Sequence, residues 1–275
     1  MKAIARALAD AARQLERSSD TPRLDSELLM AEAFHIDRDR LILAPPNRQI
    51  PKRFFDMVER RMAGEPIAYI TGRRAFWNIE LHVGPGVLVP RPDSEVLIAS
   101  AIEHFEGTSG PKRILDLGTG PGTLLLSALD VWTEATGLGI DLSRQALSYA
   151  SANSRRLGFE SRVKLMQGNW AMGLVETFDL VLCNPPYVPE GAKVGVGVRE
   201  FEPDEALFAG KEGLDAYRAL APQLPRLLNP GGLAAIEIGF DQAEAVTTLL
   251  ARDGLQAKVS KDLAGKDRAL LLTWV

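Results

Sequence analysis

The sequence predicts a doubly wound α/β fold, with a seven-stranded, mostly parallel sheet, preceded by a small helical bundle and a β-hairpin linker. Three observations predict it. From residue 112 onward, short apolar runs alternate with longer amphipathic segments in strand–helix order. The first run breaks at once into Gly118-Thr119-Gly120-Pro121-Gly122, a glycine turn of the kind that leads a strand into a helix. Residues 1–74 carry no such alternation and instead show apolar stripes at helical spacing.

The helical part comes first. Ile4, Leu8 and Leu15 make one stripe, and Leu24, Leu28, Leu29 and Phe34 a second, opened by Thr21-Pro22. Pro45-Pro46 breaks the pattern. Phe54, Phe55, Val58 and Met62 form a third face between Pro51 and Gly64. Residues 75–83 partly alternate, Gly84-Pro85-Gly86 turns and residues 87–89 return, which reads as a hairpin over 75–90 joining two domains. Asp93 is placed to cap a helix over 94–105. The expected division is therefore 1–74, 75–90 and 91–275.

Within the last part, strands are expected over 113–117, 135–140, 163–167, 179–183, 233–238, 255–260 and 269–275. Helices are expected over 123–129, 142–157, 214–228 and 242–252. Pro222 and Pro225 must kink or split the third of these. The Gly- and Val-rich residues 191–198 read as a mobile loop.

Composition narrows the function. The chain has 275 residues and a net charge of −4, which does not favour generic binding to nucleic acid. Residues 1–75 carry 14 basic and 11 acidic side chains, a slight basic excess that fits a solvated surface or an acidic partner. One cysteine, Cys183, excludes an internal disulfide and fits a reducing compartment. The three histidines are scattered without metal-ligand spacing, so no metal is expected. No apolar run reaches the ~18 residues of a membrane span, and the N-terminus lacks a signal-peptide core. A cytoplasmic protein is expected, and nothing in the sequence demands more than a monomer.

Two stretches carry chemistry. Asp116 precedes the glycine turn 118–122, and Asp141 closes the next strand, where a ribose-binding carboxylate belongs in such folds. The glycine spacing is not the dinucleotide fingerprint, and no P-loop lysine follows. A nucleoside without a pyrophosphate fits these features, with Asp116 near a cationic tail; S-adenosylmethionine is such a ligand. Taken alone, Asp141 reads as a helix cap. After the third strand, Asn169 can meet an adenine edge and Trp170 can stack on its face or pack in the core.

The second stretch is Asn184-Pro185-Pro186-Tyr187, at the end of the fourth strand. Pro185 and Pro186 stop the strand and remove two backbone donors. The Pro185 carbonyl and the Asn184 side-chain oxygen then make two acceptors beside the flat ring of Tyr187. Such a clamp suits a planar NH2 group, of an amide or a base. A proline-rich turn is the plain alternative.

These motifs, Asp116 to Gly122, Gly139-Ile140-Asp141, Gly168-Asn169-Trp170 and Cys183 to Tyr187, come in the order of class I S-adenosylmethionine-dependent methyltransferases that act on amino nitrogen. The whole chain resembles a narrower family, the N5-glutamine methyltransferases of peptide chain release factors. The resemblance rests also on Arg23-Leu24-Asp25-Ser26-Glu27, Gly64-Glu65-Pro66, Val89-Pro90-Arg91-Pro92-Asp93-Ser94-Glu95, Arg199-Glu200-Phe201-Glu202-Pro203 and Asp262-Leu263-Ala264-Gly265-Lys266.

The resemblance implies S-adenosylmethionine as cofactor, S-adenosylhomocysteine as product, and the glutamine of a release factor's Gly-Gly-Gln loop as acceptor. It implies cofactor contacts at Gly118, Thr119, Gly120, Pro121, Gly122, Asp141, Trp170 and Asn184, which Asp116 and Asn169 are expected to join from their places in the sequence. Substrate contacts fall at Asn184, Pro185, Pro186 and Tyr187, and the helical domain recognises the release factor. Phe76 or Trp77 is expected to close the pocket. Pro121 stands where the family usually has a small residue, Asn169 where aspartate is common, and Pro92-Asp93-Ser94-Glu95 where Pro-Glu-Thr-Glu is usual. The competing expectations are an amino-methyltransferase of a nucleic-acid base, a methyltransferase of another protein glutamine, and a cofactor-binding scaffold without turnover.

Overall fold

A computed structural model describes residues 2–275. Helices α1 (Lys2–Leu15), α2 (Pro22–Phe34), α3 (Arg38–Leu43), α4 (Lys52–Met62) and α5 (Ile67–Thr71) come first. The hairpin β1 (Arg73–Phe76) and β2 (Ile79–His82) follows, then α6 (Glu95–His104). Next come β3 (Arg113–Leu117), α7 (Thr123–Val131), β4 (Thr136–Asp141), α8 (Arg144–Arg156), β5 (Val163–Gln167) and β6 (Phe178–Cys183). After them come α9 (Val198–Phe201), α10 (Asp215–Leu220), α11 (Leu224–Leu227), β7 (Leu228–Glu237), α12 (Ala243–Leu250), β8 (Leu255–Lys261) and β9 (Asp267–Trp274).

The chain divides into two compact units. One is the chain up to Arg73 together with Lys193–Glu202; the other is Arg74–Ala192 with Pro203–Val275. In the helical unit, Ile4, Leu8, Leu15, Leu29, Phe34, Phe54 and Val58 share one core. The expected stripes were too broad: Leu24, Phe55 and Met62 are exposed. The buried face of α2 carries Asp25, Ser26 and Glu27 instead. These charges are paired. Asp25 meets Arg61 at 2.8 Å, and Glu27 takes Arg23 at 2.6 Å and Arg38 at 2.7 Å. A buried carboxylate needs such partners to stay folded. The short helices α3 and α5 fall below the length at which periodicity is readable.

The second unit holds a seven-stranded sheet in the order β5-β4-β3-β6-β7-β9-β8. Strands β5 to β7 are parallel, and β9 runs antiparallel to both β7 and β8. β3 and β6 read as continuous apolar runs because both faces of a central parallel strand are covered; Ile114, Leu115, Leu117, Leu180, Val181, Leu182 and Cys183 are all fully buried. The chain fills one half of the sheet from β3 outward and then returns to β6, so the β3/β6 boundary is the topological switch point.

Four local expectations change. The hairpin lies one turn earlier than 75–90, because Trp77 adopts φ +52° and reverses the chain with Asn78. Residues 87–89 join neither sheet. Asp93 does not cap α6: a 3-10 turn, Pro92–Ser94, precedes that helix, and the Asp93 carboxylate pairs with Arg268 at 3.3 Å. β7 starts earlier than residue 233, and the helix over 214–228 is split into α10 and α11, as its prolines require.

The segment over 191–198 is held at one point. Gly197 is buried with φ +78°, and a Cβ there would lie 1.8 Å from the Gly64 carbonyl oxygen. Gly191 also has a positive φ, +83°, but faces open space. Gly197→Ala is therefore expected to lower stability by more than the roughly 1–3 kcal/mol that backbone strain alone costs. Gly191→Ala should stay within that range. Thermal denaturation of both variants checks this, and equal losses would contradict the close approach.

Candidate active site

Sheet register assembles the site. Leu117 pairs with Ile140 on one side and with Cys183 on the other, and Cys183 pairs with Ile236. One residue further along each strand, Asp141, Gly118, Asn184 and Glu237 form a single row across the carboxyl end of the sheet. Open α/β sheets bind their ligands beyond this edge.

The glycine turn is held by two carboxyls. Asp116 is fully buried at the end of β3; its Oδ2 accepts from the Thr119 hydroxyl at 2.7 Å and from the Leu125 amide at 3.1 Å. Its Oδ1 is buried without a hydrogen-bond partner. Burial pushes the Asp116 carboxyl up to about 7, against the pull of those two donors. Asp141 accepts from the Gly120 amide at 2.8 Å through Oδ2 and from the Ser143 amide at 2.8 Å through Oδ1. Burial raises its pKa too, and the backbone donors oppose the rise. The cap of α8 is Ser143, whose hydroxyl accepts from Ala146 at 3.2 Å. The capping alternative for Asp141 thus falls on its neighbour, and Asp141 instead braces the turn. Gly118, Gly120 and Gly122 all have positive φ, which admits glycine at little cost.

Two spaces open onto this row. A cavity of about 310 Å³ is lined by Leu88, Gly118, Gly120, Asp141, Asn169, Trp170, Asn184 and Pro186, among others. A recess of about 40 Å³ shares Leu88, Gly118, Gly120 and Asn184 with it and reaches Asp116, Thr119, Pro121, Arg91 and Ser94. Trp170 adopts φ +52° and packs partly against the sheet core. The ring also approaches Gly118, where a Cβ would lie 3.7 Å from it. Gly122 touches neither space; a Cβ there would lie 2.8 Å from Leu126, so its part is packing. Phe76 and Trp77 line neither space, and Phe76 is buried.

Asn184 donates from Nδ2 to the Ser94 hydroxyl at 3.1 Å, which leaves Oδ1 as the free end of the amide. Pro185 is buried and Pro186 lines the cavity. The Tyr187 hydroxyl donates to Glu237 Oε1 at 3.2 Å, and the Tyr187 carbonyl accepts from Gln242 at 3.1 Å. Ser94 and Glu237 were not singled out in the sequence. Ser94 sat inside a motif read as a helix start and as part of the family resemblance, without a role of its own, and Glu237 is one acid in an apolar strand, Ala234 to Ile238. Asn153 was missed as well. Fully buried in α8, it donates to the Pro121 carbonyl at 2.9 Å and exchanges hydrogen bonds with the His82 backbone at 2.7 and 3.0 Å. An asparagine inside a helix, where it is disfavoured, was its only signal.

Among the described residues no cluster of His, Cys, Asp and Glu is arranged to hold a metal, and no helix is long and apolar enough to cross a membrane. Residues 6–72 match the family model described as PrmC N-terminal domain, and residues 109–262 match a methyltransferase domain. The chain is 40% identical over 259 residues to the release factor glutamine methyltransferase of Caulobacter vibrioides, covering 92% of this chain and 89% of that protein. It is 39% identical to the protein of the same name from Moorella thermoacetica, covering 96% of each. Among solved structures, a ribosomal protein L11 methylase from Lactobacillus delbrueckii subsp. bulgaricus superposes with a TM-score of 0.50. At 21% identity, over 67% of this chain and 80% of that one, the likeness is one of fold.

The buried Asp116 makes stability depend on pH. Its pKa is higher folded than unfolded, so its contribution is most favourable below the ordinary value of 3.8 and is lost as pH rises to about 7. Asp116→Asn keeps the shape without the titration. Denaturant unfolding across pH should show wild type losing stability relative to this variant between those two values. A difference independent of pH would contradict the burial of an ionisable group there.

Proposed function

The chain belongs to the release factor glutamine methyltransferase family, and we propose that it transfers a methyl group from S-adenosylmethionine to the side-chain amide nitrogen of a glutamine in a peptide chain release factor. The observation that carries this reading is the place of Asn184, which lines both the cavity and the recess with its Oδ1 left free.

The residues present fit the cofactor. The larger cavity takes a nucleoside: Asp141 presents carboxylate lone pairs to ribose hydroxyls, and Asn169 and Trp170 offer a polar edge and an aromatic face for adenine. The recess takes the amino-acid tail. Asp116 Oδ1, buried without a partner, is relieved by an ammonium group, which would also hold that carboxyl ionised. Gly118 and Gly120 let the backbone approach between the two. S-adenosylmethionine supplies an electrophilic methyl group on a sulfonium.

The remaining work falls to Asn184, Pro185, Pro186 and Tyr187. An amide nitrogen is a poor nucleophile because its lone pair is delocalised. Asn184 Oδ1 and the Pro185 carbonyl accept hydrogen bonds from its two N–H groups, fix its orientation and favour pyramidalisation as it attacks. Pro185 and Pro186 have no N–H to compete for those carbonyls. Tyr187 bounds the clamp with its ring. Catalysis then rests on positioning and on dipoles aimed at the reacting nitrogen, and one proton passes to water once methylation has made the nitrogen acidic.

Labelled methyl transfer to purified release factor tests the reading, with the Gly-Gly-Gln glutamine changed to alanine as control. Label on the first alone is expected; label on both, or only on RNA or DNA, would overturn it. Asn184→Ala should lower turnover by about 100-fold or more while the cofactor dissociation constant changes little. Asp141→Ala should weaken cofactor binding by about 10-fold or more, from lost charge-assisted hydrogen bonds. Calorimetry of both variants checks the division of roles, and the reverse pattern would contradict it.

A further inference from the structure

Behind the clamp lies a carboxyl to which the proposed chemistry gives no role. Glu237 ends β7 with 1% of its surface exposed. Its Oε1 accepts from the Tyr187 hydroxyl at 3.2 Å, the Ser94 hydroxyl bonds to the same carboxyl, and Ser94 Oγ receives Asn184 Nδ2 at 3.1 Å. Glu237 Oε2 is buried without a hydrogen-bond partner. Two of the clamp's side chains, Asn184 and Tyr187, are thus tied to one acid.

We propose that Glu237 is a positioning residue that sets the direction of the hydrogen bonds holding Asn184 and Tyr187, and so decides which end of the Asn184 amide meets the substrate. The inference rests on the reading of Asn184 as an acceptor for the substrate's NH2 group. An ionised carboxylate only accepts. Ser94 has one proton, and with that proton given to Glu237 its oxygen must receive one. Asn184 can then satisfy it only with Nδ2, which turns Oδ1 toward the substrate. Tyr187 likewise directs its single proton to Glu237. A neutral group at 237 removes the constraint. Ser94 can then donate to Asn184 Oδ1, the amide turns over, and its NH2 faces the substrate's NH2, donor against donor.

The surroundings let this group titrate near neutrality. Burial pushes Glu237 up to about 7, with Asp93 adding to the rise and Arg268 opposing it. The groups facing it are Ser94 and Asp93 before α6, Cys183 on β6, Tyr187 after β6, Tyr217 on α10 and Arg268 on β9. The Tyr217 hydroxyl donates to the Glu237 carbonyl at 3.0 Å. Burial raises Cys183, Tyr187 and Tyr217 above their ordinary values, so all three stay neutral in that range. Arg268 stays cationic between Asp93 and Asp262, each at 3.3 Å. Asp116 also sits at about 7 in the free protein, but a bound ammonium holds it ionised in the complex that kcat reports.

The test compares Glu237→Gln, Ser94→Ala and Ser94→Thr in steady-state methylation of release factor from acid to alkaline pH, with cofactor affinity and Tm measured on each. Wild-type kcat should rise through neutrality. E237Q should lower kcat by roughly 10- to 100-fold, the effect of one reversed hydrogen bond. It should lose the ascending limb and leave cofactor affinity unchanged. S94A should lose kcat similarly, S94T should retain it, and the S94A/E237Q double variant should be no worse than the worse single one. E237Q with wild-type kcat and pH profile would overturn the inference. So would S94T as damaged as S94A, with Tm falling in step. If E237Q does not fold, the wild-type pH profile and the Ser94 pair decide the matter by the same criteria. Turnover by Asn184→Ala separates the two levels. If that variant keeps its activity, the clamp itself fails; if it is inactive while E237Q is normal, only the role of Glu237 fails.

Discussion

Register between parallel strands is the constraint on which the site depends. β4, β3, β6 and β7 end on one row, so Asp141, Gly118, Asn184 and Glu237 stand side by side although more than ninety residues separate the first from the last. A slip of one residue would turn every side chain on a strand to the other face. At β3 it would exchange Asp116 for a leucine. Burial of the central strands on both faces, with Leu115, Leu117, Val181, Leu182 and Ile236 all at 0% exposure, fixes that register with no help from the ligand. The chemistry is therefore placed by the hydrophobic core, and the loops that leave the row need only turn away from it.

Two buried carboxyls stand on either side of Asn184, and both carry an oxygen without a partner. Burial raises both toward neutrality, which lowers stability as pH rises to about 7. They differ in where the unsatisfied charge is directed. Asp116 faces the recess, where a cationic ligand can answer it. Glu237 lies behind the clamp, where Ser94, Tyr187 and the nearby Arg268 favour its ionised form. A fold selected for stability alone would fill both places with apolar side chains. Retaining acids there ties the cost to ligand binding in one case and to hydrogen-bond direction in the other.

Much of this was legible in the sequence because the pattern that makes a parallel strand is local. All seven strands of the main sheet, the glycine turn and the Asn184-Pro185-Pro186-Tyr187 stretch announce themselves within a few residues. The partners across the sheet do not. Ser94, Asn153, Glu237 and Arg268 acquire their meaning from residues 32 to 175 positions away, which no local pattern names. The hairpin was misplaced because Gly84-Pro85-Gly86 is the stronger turn signal, whereas the reversal occurs at a tryptophan in an uncommon conformation. In the helical unit, a count of apolar residues placed Leu24, Phe55 and Met62 inside. The paired charges of Asp25 and Glu27 occupy part of the buried face of α2 instead.

The central claim is that Asn184 presents an acceptor to a glutamine amide beside the cofactor's sulfur. A crystal structure with S-adenosylhomocysteine and a glutamine-containing release factor fragment tests it most directly. The account predicts the sulfur at the junction of the cavity and the recess, against Gly118 and Asn184. It also predicts the glutamine side-chain nitrogen within hydrogen-bond distance of both Asn184 Oδ1 and the Pro185 carbonyl oxygen. A glutamine nitrogen held elsewhere, or an Asn184 amide that turns its Nδ2 toward the substrate, would contradict it.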